Sequence, residues 1–277
     1  MSQDRGTILV GYDGSPEADF ALQWAAQTAT LDGRAVRSVT VNQEEKSSSP
    51  PSGSGPENPI TARAEDLLVA AGVNGVAELR SGHPVSLLLQ EASKADMLVV
   101  GSRGVGWAAE TFLGSVSQHL ARHAPCPVVV MRRPARPGAA RMVVGVDGSE
   151  ESLAALEFAC QRAKLTGEVV VALHAWKSGP VQLDRYGQLP RDLGKRAHDA
   201  EASLTEYVAG VQRDHPDVPV ERETFALAPE HALTQASVNA SLVVTGSRGR
   251  GAFTGLLLGS VSHHLLHEAY CPVAVIR

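Results

Sequence analysis

Short runs of β-branched and aliphatic residues alternate along the chain with stretches whose apolar residues recur every three or four positions. Residues 7–12 and 97–101 are apolar almost throughout, as strands buried on both faces of a parallel sheet should be. Residues 35–41 and 75–80 read as weaker strands, and Val128-Val129-Val130-Met131 as a last one. Between the first two runs, Ala18, Leu22, Ala25, Ala26 and Ala29 share one helical face. Ser15 suits the N-cap of that helix and Pro16 its first turn. Residues 60–71, 84–93 and 115–123 also read as helices. Strand and helix alternate and end on a strand. Right-handed crossovers then predict an open parallel sheet with helices on both faces, the doubly wound α/β class.

The pattern is written twice. Ile8-Leu9-Val10-Gly11-Tyr12-Asp13-Gly14-Ser15 returns as Met142-Val143-Val144-Gly145-Val146-Asp147-Gly148-Ser149, a shift of 134 residues. Gly101-Ser102-Arg103-Gly104 returns as Gly246-Ser247-Arg248-Gly249, a shift of 145. Across 101–131 and 246–276, 17 of 31 positions are identical without a gap. A period of that length is too long for a solenoid and marks a duplicated domain. Two domains are expected, 1–133 and 139–277, joined through Pro134 and Pro137-Gly138. The shift grows by 11 because the middle of the second copy is longer. There the first copy has a Ser, Pro and Gly-rich stretch that cannot bury apolar area, and the second has residues 190–213, which read as a helix.

Composition narrows the function. The 277 residues carry 25 basic and 30 acidic side chains, and the two halves stand at −2 and −3. With no basic half or tail, duplex nucleic acid is not an expected partner. No apolar run reaches 18 residues, so no membrane span is expected. Met1-Ser2-Gln3-Asp4-Arg5 lacks the apolar core of a secretion signal, which points to a cytoplasmic location. Cys126, Cys160 and Cys271 form no CxxC and argue against a disulfide framework or a zinc site.

In a doubly wound sheet the ligand lies beyond the carboxyl ends of the strands, where strand order reverses. Two loops per copy are suited to that place. The first is Gly11-Tyr12-Asp13-Gly14-Ser15, where Gly11 permits close approach and Asp13 can accept from a ribose hydroxyl; Gly145 and Asp147 repeat it. Alone, this loop reads more simply as a turn and helix cap. The second is Gly101-x2-Gly104-x9-Gly114-Ser115, repeated as Gly246-x2-Gly249-x9-Gly259-Ser260. Gly104 and Gly106 free the backbone to turn its N–H groups toward an anion. Gly114-Ser115 opens a helix whose first N–H groups lack partners. Ser115 and Ser117 add hydroxyls, and Arg103, Arg248 and Arg250 reach into the same region. Backbone donors with one or two cations suit a polyphosphate. Two matches at identical spacing make a strong signal where one would be weak.

These residues resemble the ATP-binding signature of the universal stress protein family in its tandem two-domain form. Cys126-Pro127-Val128 and Cys271-Pro272-Val273, which open the closing strands, resemble it too. The resemblance implies a five-stranded sheet of order 3-2-1-4-5 in each domain, and an ATP, with or without magnesium, in each cleft. By it, the ribose lies near Asp13 and Asp147 and the adenine meets backbone at Val41 and Ala175. The phosphates rest on Gly101, Ser102, Arg103, Gly104, Gly106 and Gly114-Ser115-Val116-Ser117. In the second copy they rest on Gly246, Ser247, Arg248, Gly249, Arg250, Gly251 and Gly259-Ser260-Val261-Ser262. It also implies that the domains pair across 127–131 and 272–276, with a homodimer left open.

The missing motifs narrow the chemistry further. There is no GxxxxGK[ST] loop and no lysine in either glycine loop, so a P-loop NTPase is excluded. No GxGxxG follows the first strand. Glu110, the one loop carboxylate that could act as a base, aligns with Gly255. His119 and His123, like His263 and His267, stand four apart, but no carboxylate or cysteine completes a metal set. A two-site ATP-binding regulator of a stress response, without turnover, is expected. A slow ATPase, an AMP or cyclic AMP sensor and a nucleotide-free scaffold stay open as rivals.

Overall fold

The structure is a computed structural model that describes residues 6–42, 58–104, 113–176, 193–251 and 257–277. The chain divides into two compact units, Met1–Pro134 and Ala135–Arg277.

In the first unit the elements run β1 (Thr7–Gly11), α1 (Pro16–Asp32), β2 (Ala35–Asn42), α2 (Pro59–Ala71), β3 (Gly75–Ser81), α3 (Pro84–Ala92), β4 (Met97–Gly101), α4 (Ser115–His123) and β5 (Val128–Met131). In the second they run β6 (Arg141–Gly145), α5 (Glu150–Thr166), β7 (Val169–Ala175), α6 (Leu193–Gln212), β8 (Val220–Phe225), α7 (Pro229–Ser237), β9 (Leu242–Gly246), α8 (Ser260–Glu268) and β10 (Val273–Ile276). Each expected strand and helix of the first copy forms, displaced by at most two residues at its ends. The helix expected over 190–213 is α6.

All strands within each unit are parallel. The first unit orders them β3-β2-β1-β4-β5. The second orders them β8-β7-β6-β9-β10, the same 3-2-1-4-5 arrangement. Strand order therefore reverses between β1 and β4, and again between β6 and β9. The central strands are apolar because both their faces are covered: Ile8, Leu9, Val10, Leu98 and Val99 are buried, as are Met142, Val144, Val243 and Val244. The outer strands β3 and β8 carry Glu78 and Arg80, and Glu221, Arg222 and Glu223, charges that discourage further strand pairing.

The helix after the first strand is fixed in the same way in both units. Ser15 accepts from the Ala18 N–H and Ser149 from the Ser152 N–H, so each serine caps its helix. Gly14 and Gly148 hold φ near +78° and +79°, a left-handed turn that a side chain disfavours. The Asp-Gly-Ser sequence is thus a local device that turns the chain from strand end into helix.

The units differ in what lies beneath their outer strands. In the first, Arg37 on β2 donates to Glu78 on β3 at 2.7 Å and to the buried Glu91 on α3 at 2.7 Å. Val171 and Ala236 stand at the matching positions of the second unit, under the shifts of 134 and 145.

Candidate functional site

A cleft opens in each unit where strand order reverses. Its volume is about 500 Å³ in the first unit and about 430 Å³ in the second. Both fall within the range of small-molecule sites. The floor is the end of the first strand, Gly11 and Asp13 or Gly145 and Asp147. One side is the end of the second strand, including Val41 or Ala175. The other is the start of α4 or α8: Gly114, Ser115, Val116 and Ser117, or Gly259, Ser260, Val261 and Ser262.

Asp13 and Asp147 have two tasks. Oδ1 of Asp13 accepts from the Ser15 N–H at 3.0 Å and from its hydroxyl at 2.6 Å. Asp147 does the same with Ser149, at 3.0 and 2.5 Å. The turn-and-cap reading of this loop therefore holds for one carboxylate oxygen. The other oxygen faces the glycine loop: a Cβ on Gly104 would stand 2.6 Å from Asp13 Oδ2, and one on Gly249 would clash with Asp147 Oδ2. These glycines are small because the loop passes directly over the aspartate. In the second unit Asp147 Oδ2 also accepts from the Arg250 N–H at 2.9 Å. Burial pushes the Asp147 carboxyl up. The hydrogen bonds from Ser149 and the Arg250 N–H outweigh it and hold the group below the usual carboxylate range. It remains an anion at neutral pH. A carboxylate offers about four acceptor positions, and three of those on Asp147 are occupied by Ser149 and Arg250.

The helix opposite is held by backbone rather than by a cap. Gly114 and Gly259 are its N-cap residues, and neither α4 nor α8 has a side-chain cap. The Gly114 N–H donates to Ser102 O and the Gly259 N–H to Ser247 O, both at 2.7 Å. Ser102 and Ser247 are buried and pin the strand end to the helix start, outside the cleft lining. Ser117 donates its hydroxyl to Gly101 O at 2.6 Å and Ser262 to Gly246 O at 2.7 Å. The protons expected to meet a phosphate at these two serines are thus used within the fold. Ser115 and Ser260 lie at the first helical position on the cleft wall. The first turn of each helix lines the cleft without a side-chain cap, and the N–H groups of a first turn have no intrahelical partners and carry the positive end of the helix dipole.

The loop arginines are engaged. Arg103 Nη2 lies 2.5 Å from Glu17 Oε1, and Arg248 Nη2 lies 2.8 Å from Glu151 Oε1. The Arg250 guanidinium sits 5.2 Å from the centre of the Tyr207 ring and donates to Gly148 O at 3.4 Å. Gly251 lines the second cleft. Gly106, Glu110 and Gly255 lie outside the described residues, as do most of 43–60 and of 176–195.

Some lining residues were not singled out from the sequence. Pro84 and Leu88 on α3, and Pro229 and Leu233 on α7, form an apolar wall in both clefts. They obey the shift of 145, so extending the gapless alignment upstream finds them. Ile60 lines the first cleft and lies over Gly14, while Tyr207 packs over Gly148 outside the lining of the second. These belong to the segments of unequal length and have no sequence match.

The other candidates are structural. His119 stacks on His123 at 6.1 Å, and His263 lies 4.7 Å from His267. Among the described residues no group of three or more His, Cys, Asp or Glu could hold a metal. All three cysteines are buried. Burial pushes the Cys160 thiol up to about 11 and that of Cys271 up to about 12, so both stay protonated. The Tyr12 hydroxyl donates to Asp19 at 2.6 Å, and burial together with that contact raises its pKa well above its usual value. Among the described residues no helix is long and apolar enough to cross a membrane.

Comparison with known proteins places this geometry. A model of the universal stress protein family matches residues 5–132 and again 139–277. A universal stress protein of Mycobacterium tuberculosis is 37% identical over 289 aligned positions, covering 98% of this chain and 96% of the relative. One from Mycolicibacterium smegmatis is 33% identical, covering 98% and 96%. The crystal structure of a universal stress protein from Archaeoglobus fulgidus has the same fold, with a TM-score of 0.69 at 20% identity and 99% of each chain covered.

Proposed function

Because the chain belongs to the universal stress protein family, we propose that each of its two units binds one adenine nucleotide, ATP foremost, as a ligand rather than a substrate. The observation that carries this is the duplicated cleft. Two units with different middles and different buried charges still keep the same aspartate, glycine loop and uncapped helix start.

The chemistry of the walls fits the parts of the ligand. The apolar side between Val41 and Leu88, or between Ala175 and Leu233, suits a base. Asp13 and Asp147 can accept from ribose hydroxyls. The first-turn N–H groups of α4 and α8, with Ser115 and Ser260, suit phosphates. Bound nucleotide stabilises the native state by mass action and can thereby set conformation or assembly. That is the output proposed for a stress-response regulator.

Turnover is not part of this reading. Among the described residues each cleft lining offers one carboxylate, Asp13 or Asp147, already bonded to the Ser15 or Ser149 cap. Denaturing the purified protein and separating the supernatant should release ATP, with minor ADP or AMP. Steady phosphate release should stay near the uncatalysed background. Release on the order of 1 per second, as in slower true enzymes, would make it an ATPase instead.

A further inference from the structure

We propose that Glu17 and Glu151 are specificity-determining residues that mute the preference of each cleft for more highly charged nucleotides. They do so by neutralising the arginine of the glycine loop. This rests on the nucleotide reading above and adds two residues that motif and cap reasoning leave out.

The pairing occurs twice. Arg103 and Arg248 both line their clefts. Each is bound by the glutamate at the same place, in the first turn of the helix that follows Asp-Gly-Ser. The placement is built into the backbone. A Cβ on Gly101 would lie 3.0 Å from Glu17 Cβ, and one on Gly246 would lie 2.8 Å from Glu151 Cβ. The last residue of β4 and of β9 is therefore small so that α1 and α5 can bring their glutamates against the loop. The glutamates are largely buried, with side chains 17% and 21% exposed.

A carboxylate in a first helical turn also suits the helix dipole. That role alone does not account for the pairing, because Asp19 and Glu150 supply acidic groups to the same turns. It also gives no reason for the glutamate to bind an arginine 86 residues away in the first unit. Paired, the loop arginine brings almost no net charge to the cleft. Recognition of phosphate then falls to backbone N–H groups, whose attraction grows less with ligand charge than that of a free cation. The native clefts should consequently separate ATP from AMP only weakly.

Glu17→Gln together with Glu151→Gln tests this, since it keeps side-chain length and an acceptor for the arginine while removing the negative charge. Nucleotide-free native and variant protein are titrated calorimetrically with ATP and with AMP, at low salt and near 0.5 M salt. The variant should bind ATP about tenfold tighter at low salt and AMP less than about threefold tighter, with the difference vanishing in high salt. Adding Arg103→Gln and Arg248→Gln should remove the gain. Unchanged affinities, a parallel gain for both nucleotides, or weaker ATP binding would overturn the proposal. The last of these is what a glutamate that positions the arginine directly onto phosphate would give. Native protein that binds neither nucleotide is a separate result, and it overturns the nucleotide reading itself.

Discussion

Replacing Gly114 and Gly259 together by glutamate should abolish nucleotide binding and leave the fold intact. Both glycines have extended backbone, φ −64° and −71°, so neither needs the left-handed region. A Cβ would meet Ser102 O at 3.2 Å in the first unit and would have ordinary contacts, at 3.5 Å, in the second. The folding cost is therefore small, and smallest at Gly259. The new carboxylate would stand at the helix start, where the dipole favours it. There it would take the N–H groups proposed for phosphate and repel the ligand. Two like charges about 4 Å apart at an effective dielectric near 20 cost about 4 kcal/mol, or about three decades in affinity. The check is calorimetric titration alongside circular dichroism and ligand-free thermal midpoints. A folded variant with native ATP affinity would place the phosphate site elsewhere.

Arg37→Ala should destabilise the first unit by about 3 kcal/mol or more and leave the second untouched, since removing one partner of a buried pair strands the other. The stranded group is Glu91, whose side chain is only 4% exposed. Its remaining partners, Arg80 at 3.5 Å and Lys94 at 3.7 Å, are longer and largely exposed. The second unit is the internal control, because Val171 and Ala236 fill the matching places there. Replacing Arg37, Glu78 and Glu91 all with apolar residues should cost much less than Arg37→Ala alone. The pH dependence carries the same sign. Hydrogen bonds from Arg37 hold the Glu78 and Glu91 carboxyls below the usual range, against the upward push of burial. Their contribution is fully present above the unfolded value near about 4.3 and is lost as pH falls through the depressed folded values. Arg37→Ala should flatten that acid limb. Denaturant unfolding at pH 7 and in acid reads both effects.

How much of this was legible from the chain follows from the range of each interaction. The strands and helices are written in local periodicity, and right-handed crossovers make the sheet parallel with helices on both faces, but the strand order 3-2-1-4-5 is legible only through the family resemblance. The repeat then raised a weak glycine pattern to a strong one, because Gly104, Gly114 and Ser115 recur at fixed spacing as Gly249, Gly259 and Ser260. What stayed hidden was contact across many residues. Glu17 and Glu151 look like dipole acids at a helix start, and only the fold brings them onto Arg103 and Arg248. Ser117 and Ser262 look like phosphate donors, yet their protons go to Gly101 and Gly246. The Tyr207 and Arg250 contact over Gly148 depends on α6, which has no counterpart of equal length in the first copy.

The central claim is that duplication produced two working nucleotide sites. Isothermal titration of nucleotide-free, full-length protein with ATP counts them directly. Two sites per chain are expected, with affinities free to differ because Val41 ends the second strand of one cleft and Ala175 that of the other, and Ile60 lines only the first. Titration that saturates at one equivalent, or shows no binding in protein with an intact fold, would contradict it.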